Sequence, residues 1–319
     1  MEPLFLKAPC KDYLWGGTRL KTEFGKVSDL PKVAESWELS CHKDGKSVIE
    51  NGPFSGKTLS EFLQDYPQAV GKQGKKFPYF PVLIKLIDAK EKLSVQVHPS
   101  NEYAMRVEGE YGKTEMWYVV DCKPNAQLLY GFRREISKEE FKRRIADHTL
   151  LEVTNAVPVK PGDVFFIESG TLHAIGEGIL IAEIQQNSNT TYRVYDYGRI
   201  GTDGKPRQLH VEKAVDVTCL KPAARKPGAQ GKTESIPGGE KTLLASCDYF
   251  TVYHFLIEQE TEFFVSDESF QSLLCLNGEG KLCYQGKEDS LKKGQTVFLP
   301  AEFGSYTVKG PCEFLLTQL

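Results

Sequence analysis

The chain has 319 residues, with 40 Lys and Arg interspersed among 43 Asp and Glu, for a formal net charge of −3. That length can bury a sizeable core in one large or two smaller domains. A balance so near neutral gives no reason to expect nucleic acid or an anionic membrane as a partner.

The longest apolar runs are a few residues, too short to span a bilayer, and MEPLFLKAPCKDYLWGG carries no signal-peptide core. Eight cysteines fall at irregular spacings without a CxxC pair. They read as free thiols in a reducing cytoplasm, not as a disulfide framework or a structural zinc site.

In chain order, Glu35 to Ser40 reads as a short strand, with Gly16 and Gly17 marking a turn before it. His42 follows in a polar loop, CHKDGKS, where a solvated histidine is expected. Thr58-Leu-Ser-Glu61 is a capping box, and Leu59, Phe62 and Leu63 form the apolar stripe of a helix of about two turns. Phe80 to Ile87, FPVLIKLI, reads as a strand buried on both faces. Lys85 alternates there with Leu83 and Ile87. Either its stem packs while its ammonium escapes to solvent, or it is partly buried with a pKa low enough to move protons near neutrality.

Two stretches concentrate the chemistry: Leu93 to Tyr118 and Gly162 to Gly176. In an extended strand, side chains two apart point the same way. Gln96 and His98 then share one face of a strand. Lys113 and Glu115 share a face of the next, provided that strand begins by Lys113. With His173 from the second stretch, two imidazoles and a carboxylate form a common divalent-metal set with room for water or substrate. Glu108 and Glu110 are expected to be solvated loop charges.

Ser137-Lys-Glu-Glu140 caps a further helix with Phe141 and Ile145 on one face, and His148 stands at its end. Gly178 to Gln186, GILIAEIQQ, reads as another buried strand. In TTYRVYDYGR, simple alternation sets Arg193, Tyr195 and Tyr197 on one face and Tyr192, Val194 and Asp196 on the other. Leu209 to Cys219 reads as a short helix, with His210 at its start in a surface or capping role. Residues 221 to 241, rich in Pro, Gly and Lys, read as a linker or long surface loop. Everything from about Thr242 is strand-like, and Gly278-Glu-Gly280 is a hairpin turn signal. His254 lies on an alternating strand as a core or interface residue. Many short strands and few helices point to a mainly β, jelly-roll design with a few added helices.

LSVQVHPS, GKTEMWYV, GTLHAIG and TTYRVYDYGR occur in the order and spacing of type I mannose-6-phosphate isomerases in their short bacterial form. The likeness runs from Trp15 to about Leu220. The chain is identified as a member of that family, and Gly162 to Gly176 resembles the second motif of the cupin superfamily. The sequence departs from that motif at Glu168, where a proline is usual, and has Asn189 where many family members have aspartate. GQTVFLPAEFGSYTV, from Gly294, echoes GDVFFIESGTLHAI, with Ser305 at the place of His173. The resemblance implies two cupin-like jelly rolls: a metal-bearing catalytic domain over 1–230 and a small C-terminal one without metal over 231–319.

The resemblance further implies one zinc ion per chain, held by Gln96, His98, Glu115 and His173. Lys85, Lys113 and Arg193 take acid–base and charge-stabilising positions, and Ser94, Arg199 and Tyr195 take substrate-binding ones. The implied reaction interconverts mannose 6-phosphate and fructose 6-phosphate through a cis-enediol, in a cytoplasmic monomer or homodimer. Two other functions use the same residues: a cupin non-haem metal oxygenase, or a sugar-phosphate-binding protein without turnover.

Overall fold

The computed structural model describes residues 2–201 and 204–319, and antiparallel strands dominate it. The chain divides into two compact units. One comprises the residues before Asp12, Thr18–Leu86 and Gly228–Leu319; the other comprises Asp12–Gly17 and Ile87–Pro227. A single cut at residue 230 does not anticipate this grouping. Its physical cause is strand pairing: Leu4–Lys7 lies antiparallel to both Thr296–Leu299 and Val48–Ile49. No helix among the described residues is long and apolar enough to cross a membrane.

In the Ile87–Pro227 unit, the strand Glu115–Cys122 is flanked antiparallel by Val164–Ile167 and Ile179–Gln186. A five-stranded sheet runs in the order Thr154–Pro158, Gln127–Phe132, His173–Ala174, Val95–Val97, Tyr192–Tyr195. Period-two alternation gives that sheet two different faces. Val95, Val97, Phe132, Tyr192 and Val194 pack with Phe141, Ile145, Ala214 and Val215 from the helices Lys138–Ala146 and Val211–Val217. Gln96 takes the opposite face. Full burial of Phe141 contributes about 1.5–3 kcal/mol. Ser137 caps its helix as expected, its hydroxyl accepting from the Glu140 amide at 3.1 Å.

A register shift in the edge strand changes which side chains share a face. Arg193 pairs with Gln96, but Tyr195 pairs with Val95, so the strand holds an extra residue between them. The bulge breaks alternation. Tyr195 therefore turns to the helix-covered face, with its ring 4.9 Å from Tyr197 and 6.2 Å from His148, instead of sharing Arg193's face.

The other unit holds the C-terminal strands, with Phe255, Leu273, Leu299 and Phe314 in its core. Two turn assignments change here. Gly278-Glu-Gly280 is not a hairpin turn: Gln271–Tyr284 is one continuous strand through it. Gly278 has φ +78°, and a Cβ there would stand 2.5 Å from the Pro311 carbonyl oxygen. The glycine serves close backbone approach beside a register shift, and the chain reverses only at Gln285-Gly286. The stretch 221–241 is not all linker, because Thr233–Ile236 and Gly239–Ser246 pair as a hairpin around Pro237-Gly238. His42 is buried, not solvated; its ring stands edge-on to Trp37 at 5.6 Å, and Nδ1 accepts from the Asp44 amide. His254 Nε2 lies 2.9 Å from a Glu313 oxygen.

The helix Leu59–Asp65 shows the capping box in full. The Thr58 hydroxyl accepts from the Glu61 amide at 3.2 Å, and the Glu61 carboxylate accepts from the Thr58 amide at 2.8 Å. Thr58→Ala removes one half of that exchange. It is expected to cost about 1 kcal/mol, read as a lower urea midpoint with unchanged activity.

Candidate active site

Gln96 and His98 leave one sheet and Glu115 opens a strand of the other. His173 sits between Gln96 and Tyr130 in the five-stranded sheet, paired with both. A glycine delivers it there. Gly170 has φ +86°, and a Cβ would come within 2.9 Å of the Val217 carbonyl oxygen. The Gly170 amide donates to the His98 carbonyl, tying the turn to the first motif. Two residues before Gly170, Glu168 accepts from Arg225 Nε at 3.1 Å, and the Arg225 guanidinium covers the Phe166 ring.

One atom each from His98, Glu115 and His173 falls within a common 4.8 Å, and all three side chains are buried. The two Nε2 atoms are 3.1 Å apart, and His98 Nε2 is 3.1 Å from Glu115 Oε1. Gln96 Nε2 stands 3.4 Å from His173 Nε2. His98 Nδ1 lies 3.0 Å from the Thr190 carbonyl oxygen and His173 Nδ1 lies 2.8 Å from that of Thr171. A carbonyl only accepts, so both Nδ1 atoms carry the proton and both Nε2 lone pairs face inward.

Electrostatics keep them so. Burial, with Lys113 adding to it, takes the His98 imidazole down to about 3; burial likewise lowers His173. Burial works to raise Glu115, but Lys113 and His98 more than offset it, and the carboxyl stays well below its ordinary value. Lys113 precedes the strand, which starts at Glu115. Its Nζ nonetheless reaches 2.5 Å from Glu115 Oε1 and 3.4 Å from His98 Nε2. Apart from the Lys113 ion pair, neither oxygen of the fully buried Glu115 receives a hydrogen bond. Two opposed imidazole lone pairs beside a buried carboxylate held by one ammonium leave acceptor capacity that fits a divalent cation well. This is the cluster of metal-type side chains found among the described residues.

Arg193 joins the same network from the side. Its Nε donates to Ser94 Oγ at 3.2 Å, and Ser94 Oγ stands 3.5 Å from Gln96 Oε1. Nη1 donates to the Gln208 carbonyl. The backbone is clamped by His210, whose amide donates to the Arg193 carbonyl and whose Nδ1 accepts from the Arg193 amide. His210 thus occupies the start of its helix without capping it by side chain. Arg199 donates to Asp196 and to the Lys92 carbonyl, and Arg207 donates to both oxygens of the same Asp196. Lys85 lies in the other unit, buried, its Nζ 3.6 Å from Glu35 and over the Trp37 ring.

Sequence reasoning missed Glu183. It is buried, accepts from Trp117 Nε1 at 2.8 Å and stands 4.0 Å from Lys113 Nζ; the Trp117 ring meets His173 edge-on. A carboxylate inside the apolar run GILIAEIQQ was the available signal. Glu110 was misjudged too: it is half-buried, and its carboxylate accepts from Ser188, Asn189 and Thr190.

Two family models match the chain: "Phosphomannose isomerase type I, catalytic domain" over residues 4–124 and "Mannose-6-phosphate isomerase, cupin domain" over 239–319. The mannose-6-phosphate isomerase of Streptococcus mutans is 39% identical, over 99% of this chain and 98% of its own. Mannose-6-phosphate isomerase ManA of Bacillus subtilis is 38% identical, over 100% and 99%. The crystal structure of the mannose 6-phosphate isomerase from Bacillus subtilis superimposes with a TM-score of 0.93, covering 100% of both chains at 39% identity. The mainly β, cupin-like architecture expected from the motifs is the one found. With identity of this order along the whole length, the chain belongs to the type I mannose-6-phosphate isomerase family.

Proposed function

We propose that the protein interconverts mannose 6-phosphate and fructose 6-phosphate through a cis-enediol, using one zinc ion per chain. Above all, the proposal rests on the approach of His98, Glu115 and His173 to one point beside the Lys113 ammonium, in a chain of this family. These three residues would hold the ion, with the Gln96 carboxamide as a fourth donor. Imidazole, carboxylate and carboxamide donors suit zinc. A bound divalent ion supplies Lewis-acid charge for an oxygen that becomes anionic.

The exchange requires a proton to leave the carbon beside a carbonyl and return to its neighbour. Negative charge builds on the two sugar oxygens meanwhile. Lys113 and Arg193 contribute fixed positive charge against it, already oriented by Glu115 and by Ser94 and Gln208. Burial lowers the Arg193 pKa, with Arg207 and Arg199 adding to the effect, yet a group that starts above about 12 remains a cation at neutral pH. Ser94 offers the sugar a hydroxyl fixed by that arginine. Arg199 has the charge that phosphate requires, and Asp196, shared with Arg207, governs how it is presented.

Purified protein of known metal content should turn over mannose 6-phosphate in a coupled assay. Activity should vanish with a chelator and return with zinc. A fully metallated protein that leaves mannose 6-phosphate untouched refutes the proposal.

A further inference from the structure

Glu110 stands between the helix Asn101–Val107 and the strand Glu115–Cys122. A single oxygen, Oε2, accepts from Ser188 Oγ at 3.2 Å, the Asn189 amide at 3.1 Å and Thr190 Oγ1 at 3.1 Å. Ser188 Oγ also accepts from the Thr190 amide at 3.2 Å. Three donors on one oxygen call for an anion, and bonds to an anion are roughly twice as strong as neutral ones. They gather residues 188–190 into a fixed turn. The carbonyl of that turn, on Thr190, meets His98 Nδ1.

We propose that Glu110 is a positioning residue for metal binding: it fixes the Ser188–Thr190 turn so that the Thr190 carbonyl aims the His98 Nε2 lone pair at the metal. This rests on the reading that His98, Glu115 and His173 hold a divalent ion. Without the carboxylate, the turn loses a shared acceptor, the carbonyl drifts, and the His98 ring can rotate or exchange its tautomer. His173 is oriented by a different turn, in which the Thr171 amide bonds to the Glu168 carbonyl. The defect is therefore confined to one of the two imidazoles.

The test is zinc affinity, measured by competition with a chromophoric chelator on the full chain. Loss of an outer partner of a metal-binding histidine weakens affinity about 10–100-fold. Glu110→Ala should show a loss of that order, and Glu110→Gln, which keeps an acceptor oxygen, should fall between it and wild type. Glu108→Ala is the control: that carboxylate binds Tyr192 and Lys213 and does not touch the turn. It should bind zinc as wild type does. If Glu110→Ala does not fold, Ser188→Ala/Thr190→Val removes two of the three donors and should show the same direction of loss. A merely structural Glu110 would lower the melting temperature and leave zinc affinity alone. Wild-type affinity in Glu110→Ala, or an equal loss in Glu108→Ala, overturns the proposal by itself. Wild-type protein that takes up no zinc overturns the metal set as well.

Discussion

Arg193→Ala is expected to keep its metal and its fold but to lose on the order of a hundredfold or more in kcat, the loss seen when one donor to a developing oxyanion is removed. The arginine side chain donates to Ser94 and to the Gln208 carbonyl, not to His98, Glu115 or His173. Its strand is held by pairing with Gln96 and by both bonds to His210, none of which involves the side chain. Two side-chain hydrogen bonds at about 0.5–1.5 kcal/mol each bound the stability cost. An interaction that strengthens as charge develops shows in kcat more than in KM. Steady-state kinetics with metal content measured alongside provide the check. Normal kcat in a fully metallated variant ends the proposed role, since a strand arginine with only structural contacts can be lost with near-normal turnover.

Glu115→Ala is expected to do more damage, in two ways that can be separated. Metal binding should become substoichiometric. If several kcal/mol of transition-state stabilisation goes with the metal, turnover falls by three or more orders of magnitude. The protein should also be less stable. Lys113 is nearly inaccessible and has Glu115 as its close counter-ion, with Glu183 4.0 Å away. Breaking a buried pair by removing one partner typically costs about 3–5 kcal/mol, because a buried charge is left uncompensated. His173→Ala should lose metal without that charge penalty. Adding Lys113→Met to Glu115→Ala should restore much of the stability and none of the metal. Denaturant titrations of the metal-free proteins make the comparison. Equal stability of Glu115→Ala and wild type without metal would refute the charge argument.

What the sequence reveals here is local and periodic. Gln96 and His98 stand two apart across the end of a strand, and Thr58 and Ser137 cap the helices they precede, because spacing alone sets those relations. Features that depend on register are invisible to it. Tyr195 shares a face with Arg193 only until a bulge inserts one residue. Glu183 meets Trp117 because two strands 66 residues apart align at that pair. Glu110 reads as a solvated charge until a turn nearly 80 residues later brings it three donors. Gly278 looks like a reversal point, yet the long-range approach of Pro311 gives the glycine its purpose inside a continuous strand.

The pairing of Leu4 with Phe298 has a consequence for how the chain matures. During synthesis the first strand emerges about 290 residues before its partner. At about 5–20 residues per second, it waits roughly 15–60 s. Ile87–Pro227 forms a nearly continuous unit and can condense while synthesis proceeds. Until Thr296–Leu299 emerges, Leu4–Lys7 has Val48–Ile49 on one side and an unpaired edge on the other, exposed to neighbouring chains. Crowded expression therefore endangers the beginning of the polypeptide first. Any premature stop before Thr296 leaves Leu4–Lys7 with no edge to join on that side, however intact the metal-binding half is.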